Sequence, residues 1–156
     1  MLKKLTDTFT RPADTNAYTA SDVVANSTTA GSVIPLSWNI GGKGGKLWSV
    51  RLEKSDGTDV ANSSMILHLY GEAVVTAAGD NAAFSTPVAE HIVNLTVPIF
   101  VAYTDDASVE YKVGESGFLS PILLPYHTVY GLLSATAGYT PASAEVFVVD
   151  LHVEIN

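Results

Sequence analysis

Residues 147–155 constrain the fold more than any other stretch of this sequence. Phe147, Val149, Leu151, Val153 and Ile155 alternate with Val148, Asp150, His152 and Glu154. Successive side chains of a strand point to opposite faces, whereas those of a helix return to one face every three or four residues. A period of two held this long specifies a strand with one buried face. The same alternation runs through 46–53, with Trp48, Val50 and Leu52 on one face and Ser49, Arg51 and Glu53 on the other. Trp48 on that apolar side reads as core. Shorter β-rich runs occupy 32–40, 64–70, 91–97, 99–103, 109–113, 118–124 and 128–135. No segment sustains the i, i+3, i+4, i+7 apolar spacing of a helix.

The breaks between these runs carry turn chemistry. Pro35, Pro98, Pro121 and Pro125 cannot donate to a sheet ladder, so they mark edges or ends of strands. The glycines of 41–45 would lose too much entropy in a strand and read as a loop. Asp56-Gly57 is a tight-turn signal, and 77–82 is a loop around Gly79-Asp80-Asn81. Residues 1–31 are rich in Asp, Asn, Ser and Thr, and Pro12 biases Arg11 away from helix. They read as an extended N-terminal arm ahead of a domain covering 32–156. The predicted class is all-β: a jelly roll or β-sandwich of about eight strands. The Cys…Trp…Cys signature of an immunoglobulin domain is missing, since the chain has no cysteine.

Composition narrows the function. The absence of cysteine removes thiol catalysis and Cys-ligated zinc, and suits synthesis in a reducing cytoplasm. Charged residues make up 15% of the chain against about 25% in ordinary domains, leaving much neutral surface for partners. Residues 1–54 hold seven of the eight basic side chains and carry a net +3, while 55–156 carry a net −11. A total of −8 argues against a nucleic-acid partner, which needs a concentrated basic surface. No window reaches 18 apolar residues, so no membrane-spanning helix is expected. Polar residues follow Met1-Leu2-Lys3-Lys4-Leu5, where a signal peptide would have its apolar stretch.

The sequence holds no catalytic or cofactor constellation, and no enzyme is expected. None of His68, His91, His127 and His152 stands with another ligand at zinc spacing. Gly114-Glu115-Ser116-Gly117 lacks the second-glycine spacing of a nucleophile elbow. Asp105-Asp106 reads as a solvated turn. Asp80-Asn81, or Asp105, Asp106 and Glu110, supply oxygen ligands for at most a weak Ca²⁺ site, without an EF-hand loop. Trp38, Trp48, Tyr70, Tyr103, Tyr111 and Tyr126 form the set of aromatics able to stack on sugars.

One resemblance covers roughly residues 8–155. It rests on Phe9-Thr10-Arg11-Pro12-Ala13-Asp14-Thr15-Asn16-Ala17-Tyr18, Asp22-Val23-Val24-Ala25-Asn26-Ser27-Thr28, Arg51-Leu52-Glu53-Lys54-Ser55, Leu67-His68-Leu69-Tyr70, Gly79-Asp80-Asn81-Ala82-Ala83-Phe84-Ser85 and Tyr139-Thr140-Pro141-Ala142-Ser143. In these the chain resembles small virion proteins encoded among the head genes of tailed bacteriophages. The resemblance implies a capsid decoration, or cement, protein on the outer surface of the virion. Its partners would be the major capsid protein and further copies of itself, as a dimer or trimer. The arm would then reach across capsid subunits through Phe9, Arg11, Pro12 and Tyr18, aromatic and Arg anchors being typical of interface hot spots. Removal of residues 1–20 would abolish that contact and leave the body folded. The alternative for Phe9 and Tyr18 is that they cover the domain's own sandwich edge. Alternative functions are a receptor- or glycan-binding head-fibre or tail-tip module, and a head–tail joining protein.

Overall fold

The computed structural model describes residues 1–74, 78–87 and 89–155. Along the chain they form β1 (Leu2–Thr10), β2 (Val23–Val24), β3 (Leu36–Asn39), β4 (Gly45–Lys54), β5 (Met65–Tyr70) and β6 (His91–Val97). Then come β7 (Val101–Ala102), β8 (Ala107–Lys112), β9 (Ile122–Leu124), β10 (Thr128–Ala135) and β11 (Val146–Ile155). Strand pairing is antiparallel throughout. One sheet runs β1-β11-β4-β8-β7, with β9 beside the first part of β4. The other runs β2-β10-β5-β6, with β3 also against β10. The protein is an all-β sandwich. Among the described residues the strands exceed the expected eight because several ladders are split into two- and three-residue pieces.

The prolines act as the sequence implies. Pro35 precedes β3, Pro98 follows β6, and Pro121 and Pro125 bracket β9. The core lies between the sheets. Phe147, Val149, Leu151 and Val153 of β11 meet Val50 and Leu52 of β4 and the inward residues Leu67, Leu69, Val129 and Leu133 of the facing sheet. Trp38 crosses this layer, and its Nε1 donates to the Val149 carbonyl at 3.2 Å. Its ring lies over Gly131, where a Cβ would come within 2.8 Å of it, so only glycine lets the indole close the core there.

The expected arm is not an arm. Residues 2–10 pair along their whole length with β11, from Leu2 opposite Glu154 to Thr10 opposite Val146. Leu5 and Phe9 point inward and pack on the core. The segment was open to misreading because its polar side chains sit on an edge strand, where alternation is weak. Asp7 guards that edge: one carboxylate oxygen accepts the Ser37 N–H at 2.7 Å and the other the Thr8 N–H at 2.8 Å.

The two outer faces differ. On the β10–β5 side, Leu132 and Tyr70 face outward and are buried under Val23, Ala25, Val33, Val74 and Phe84. The expected loop of 77–82 belongs to this cover, although Ala77 lies outside the described residues. His68 stacks on Phe84 with ring centroids 4.1 Å apart. Its Nδ1 donates to Asn94 Oδ1 at 2.8 Å, and its Nε2 accepts from the Ser134 hydroxyl at 2.8 Å. This neutral imidazole has both nitrogens satisfied. Burial lowers its pKa below the ordinary 6.5, and the neighbouring His91 adds to that, against the hydrogen bond to Asn94.

A base whose folded-state pKa is lowered takes up its proton first in the unfolded chain. His68 therefore contributes stability that is present above pH 6.5 and is lost as the pH falls through that value towards the folded pKa. Urea denaturation at steps between about pH 7.5 and 5.5 is expected to show stability falling with pH. His68→Gln is expected to flatten that slope. An unchanged slope in the variant would show that another group carries it.

Candidate functional site

The four residues expected to contact a partner lie inside the molecule or against it. Phe9 stacks on Phe147 at 5.4 Å. Pro12 is half-buried, and its carbonyl accepts the Asp14 and Ala144 N–H groups. Tyr18 is buried, lies parallel to Tyr139 at 5.9 Å, and donates its hydroxyl proton to Asp80 Oδ1 at 2.7 Å. The Arg11 side chain has no exposed surface. Its Nε donates to the Tyr18 hydroxyl at 2.7 Å, Nη1 to the Asp14 carbonyl at 2.8 Å, and Nη2 to Asp80 Oδ2 at 3.1 Å. Asp80 also accepts the Ala25 N–H at 2.8 Å. Both Asp80 oxygens are thus engaged, which removes the Ca²⁺ reading of Asp80-Asn81. Burial pushes the Tyr18 hydroxyl far above its usual range, and the Asp80 charge adds to this. These residues fasten residues 11–25 to the sandwich. Of the two readings of Phe9 and Tyr18, the one that places them on the domain itself describes the structure.

The face left open is the outer side of the β1-β11-β4-β8-β7 sheet. Register places Thr6, Asp150, Arg51 and Glu110 in one row across it, and Lys4, His152, Ser49 and Lys112 in the next. Asp150 is covered by its neighbours: Lys4 Nζ lies 3.3 Å and the Thr6 hydroxyl 2.6 Å away. Arg51 reaches Glu53 at 2.6 Å and Asp150 at 3.7 Å.

Ser49, His152 and Glu110 come together here, a grouping that residue spacing did not reveal. Ser49 Oγ donates to Glu110 at 3.1 Å and lies 2.7 Å from His152 Nδ1. Because the hydroxyl proton goes to Glu110, Nδ1 must carry its own proton and donate to Oγ. A nucleophile relay needs the reverse: the imidazole accepts from the serine and the acid holds the other ring nitrogen. The cluster is a polar staple between β4, β8 and β11. Among the described residues, no three His, Asp, Glu or Cys side chains are grouped to hold a metal ion.

Beside this staple, Arg51, Val101, Tyr103, Asp106, Ser108, Val109 and Glu110 line an open groove of about 580 Å³. Tyr103 is 59% exposed. It stands on the turn between β7 and β8, closed by its N–H to the Asp106 carbonyl at 2.8 Å. The β4–β5 connection passes directly against this turn. A Cβ at Gly57 would lie 2.3 Å from the Tyr103 carbonyl oxygen, so the absent side chain fixes how closely the connection supports the aromatic.

Of the aromatics proposed for sugars, Trp38, Tyr70 and Tyr111 are buried and Tyr126 packs against Gly71. Tyr103 and Trp48 remain available. The exposure of Trp48, at 39%, corrects its assignment to the core. The β4–β11 register shifts between His152 and Val153, so Leu47 faces Val153 and Ser49 faces His152, with Trp48 as the extra residue. A bulge puts two residues against one and breaks the alternation. Trp48 consequently leaves the face of Val50 and Leu52, and its Nε1 donates to Glu154 at 3.1 Å.

Arg11→Ala leaves Asp80 buried with its guanidinium partner gone, a change that typically costs on the order of 3–5 kcal/mol. A loss of that size is expected in urea unfolding, and a loss under about 1 kcal/mol would refute the fastening role. Removal of residues 1–20 strips β1 and Arg11 together, so circular dichroism of that truncated chain is expected to show loss of the sandwich rather than a folded body.

No protein-family model matches the chain, and no curated protein matches it. Among solved structures it is similar to a carbohydrate-binding module from the family 9 glycoside hydrolase Cel9A of Ruminococcus flavefaciens FD-1. The identity is 13%, over 90% of this chain and 98% of that one, with a TM-score of 0.32. A family 35 carbohydrate-binding module from an environmental isolate matches at 13% identity over 88% of this chain and 82% of that one, TM-score 0.34. The enzymatically active domain of bacteriophage CBA120 tailspike protein 4 matches at 8% identity over 96% of this chain and 19% of that one, TM-score 0.30. At these scores the likeness carries no argument about this chain's function.

Proposed function

We propose that this protein is a non-enzymatic glycan-binding module, and that the groove beneath Tyr103 is its site. The observation that carries the reading is the exposed ring of Tyr103 in a solvent-open groove that Arg51, Asp106, Ser108 and Glu110 also line. A pyranose presents an apolar C–H face and a rim of hydroxyls. An exposed aromatic ring meets the first, while carboxylates, a hydroxyl and a guanidinium supply acceptors and donors for the second. The groove residues sit on paired strands and on a turn braced by Gly57, so little ordering is needed on binding. With one guanidinium against two carboxylates, the groove favours neutral sugars over acidic ones. If the chain belongs to a phage particle, as the resemblance of its sequence implies, such a module would serve attachment to a host surface.

Capsid decoration is the second reading, and the uncovered outer sheet face favours it. The mixed polar side chains of that face suit contact with the shell, through the sheet itself rather than through a free arm. Under this reading the partner is the major capsid protein and the protein lies on the outside of the virion.

A glycan array probed with the wild-type chain and with Tyr103→Ala separates the two readings. Binding of neutral glycans, weakened about tenfold or more in the variant, is expected from loss of the stacking surface. No binding to any glycan, together with hundreds of copies per purified particle by mass spectrometry, would replace the glycan reading with decoration.

A further inference from the structure

At one end of the open face, away from the Tyr103 groove, lies a row of four side chains on four adjacent strands. Leu2 of β1 is opposite Glu154 of β11, Glu154 is opposite Lys46 of β4, and Lys46 is opposite Leu123 of β9. Directly opposed residues of antiparallel strands project from the same face, so the row reads apolar, acid, base, apolar. Leu2 is 62% exposed and Leu123 59%. The bulge delivers Trp48 to the same place, where Met1, Leu2, Trp48 and Glu154 line a hollow of about 380 Å³. The hydrogen bond from Trp48 Nε1 to Glu154 fixes the indole before any partner arrives. Glu154 is thereby held in place, while Lys46 makes no ion pair among the described residues.

This row is self-complementary, and from that we infer that the patch is a homodimer interface. A two-fold axis parallel to the strands, lying between the two faces and midway between β11 and β4, exchanges the two halves of the row. It sets Leu2 of one copy against Leu123 of the other, and Glu154 against Lys46, twice over. An isologous contact requires one patch to match its own rotated image, and this arrangement does so in both polarity and charge. An unrelated partner would need no such antisymmetry of charge about the sheet's midline. The next row, Lys4, His152, Ser49 and Lys112, has bases at both ends and opposes its own image, so the contact is confined to the apolar end. Four strands at about 4.8 Å spacing give a patch roughly 20 Å wide, smaller than half of a standard interface, and the dimer is accordingly weak.

The inference goes beyond the glycan reading and does not depend on it, since none of these residues lines the Tyr103 groove. Sedimentation velocity of the full chain between roughly 10 µM and 1 mM is expected to show monomers giving way to dimers. Lys46→Glu brings two carboxylates face to face across the interface, and Glu154→Lys brings two ammonium groups together. Each variant alone is expected to dissociate about tenfold more readily than the wild type. Mixed in equal amounts they restore both opposite-charge contacts, and the mixture is expected to regain wild-type association. Leu123→Asp is expected to stay monomeric, with circular dichroism confirming that each variant is folded. A wild type that remains monomeric throughout overturns the proposal. So does a dimer indifferent to Lys46→Glu and Glu154→Lys, or a mixture that fails to recover.

Discussion

The buried pair of Arg11 and Asp80 holds together the parts of this molecule that the sheets alone would leave loose. A planar guanidinium with several directed donors can bind the Tyr18 hydroxyl, the Asp14 and Ala142 carbonyls and the Asp80 carboxylate at once, which a lysine ammonium cannot. The cost of burying both charges is offset because their polar atoms are so fully bonded. The neighbouring strand end repeats the device. Lys54 is buried against Glu145 at 3.0 Å, and Glu145 accepts the Tyr139 hydroxyl. The stacking of Tyr139 on Tyr18 joins the two charged clusters. Segments near residues 11–25, 80 and 139–145 thereby form one closed end of the sandwich.

That closure decides which surfaces remain for function. Residues 23–33, tied down through Arg11 and Asp80, help to cover the outer side of the β10–β5 sheet. The opposite sheet has no comparable cover among the described residues, and its polar side chains satisfy one another across the strands. Both the groove at Tyr103 and the apolar row at Leu2 and Leu123 lie on this bare face, at opposite ends. A single uncovered sheet therefore offers two separate contacts, one shaped for hydroxyl-rich ligands and one for its own rotated copy.

Legibility from sequence followed how local each determinant was. The alternation of residues 147–155 is readable because one buried face imposes a short period, and proline excludes itself from ladder positions. For residues 1–31 composition alone suggests a loop, while two of the partners that bury Arg11 lie 69 and 131 residues away at Asp80 and Ala142. Trp48 was placed wrongly because a single inserted residue inverts every later side chain in a period-two reading. Tyr103 stood in the candidate aromatic set, but nothing near it in the chain distinguishes it from Tyr111, which the core covers. The Ser49–His152–Glu110 cluster left no spacing signal, since it joins three strands far apart in sequence.

The pairing of β1 with β11 also has a kinetic meaning. Contacts such as Lys4 with Asp150 close loops of 146 residues, and β11 sits between β1 and β4 rather than at an edge. Neither β1 nor β4 can find its neighbour on that side until residues 146–155 have been synthesised. Loop closure on this scale places the protein among slow, high-contact-order folders, and during synthesis β1 waits as an unpaired edge. Lys3, Lys4 and Asp7 on that waiting strand are charges of the kind that discourage pairing with other chains, so they protect the nascent protein as well as the finished one.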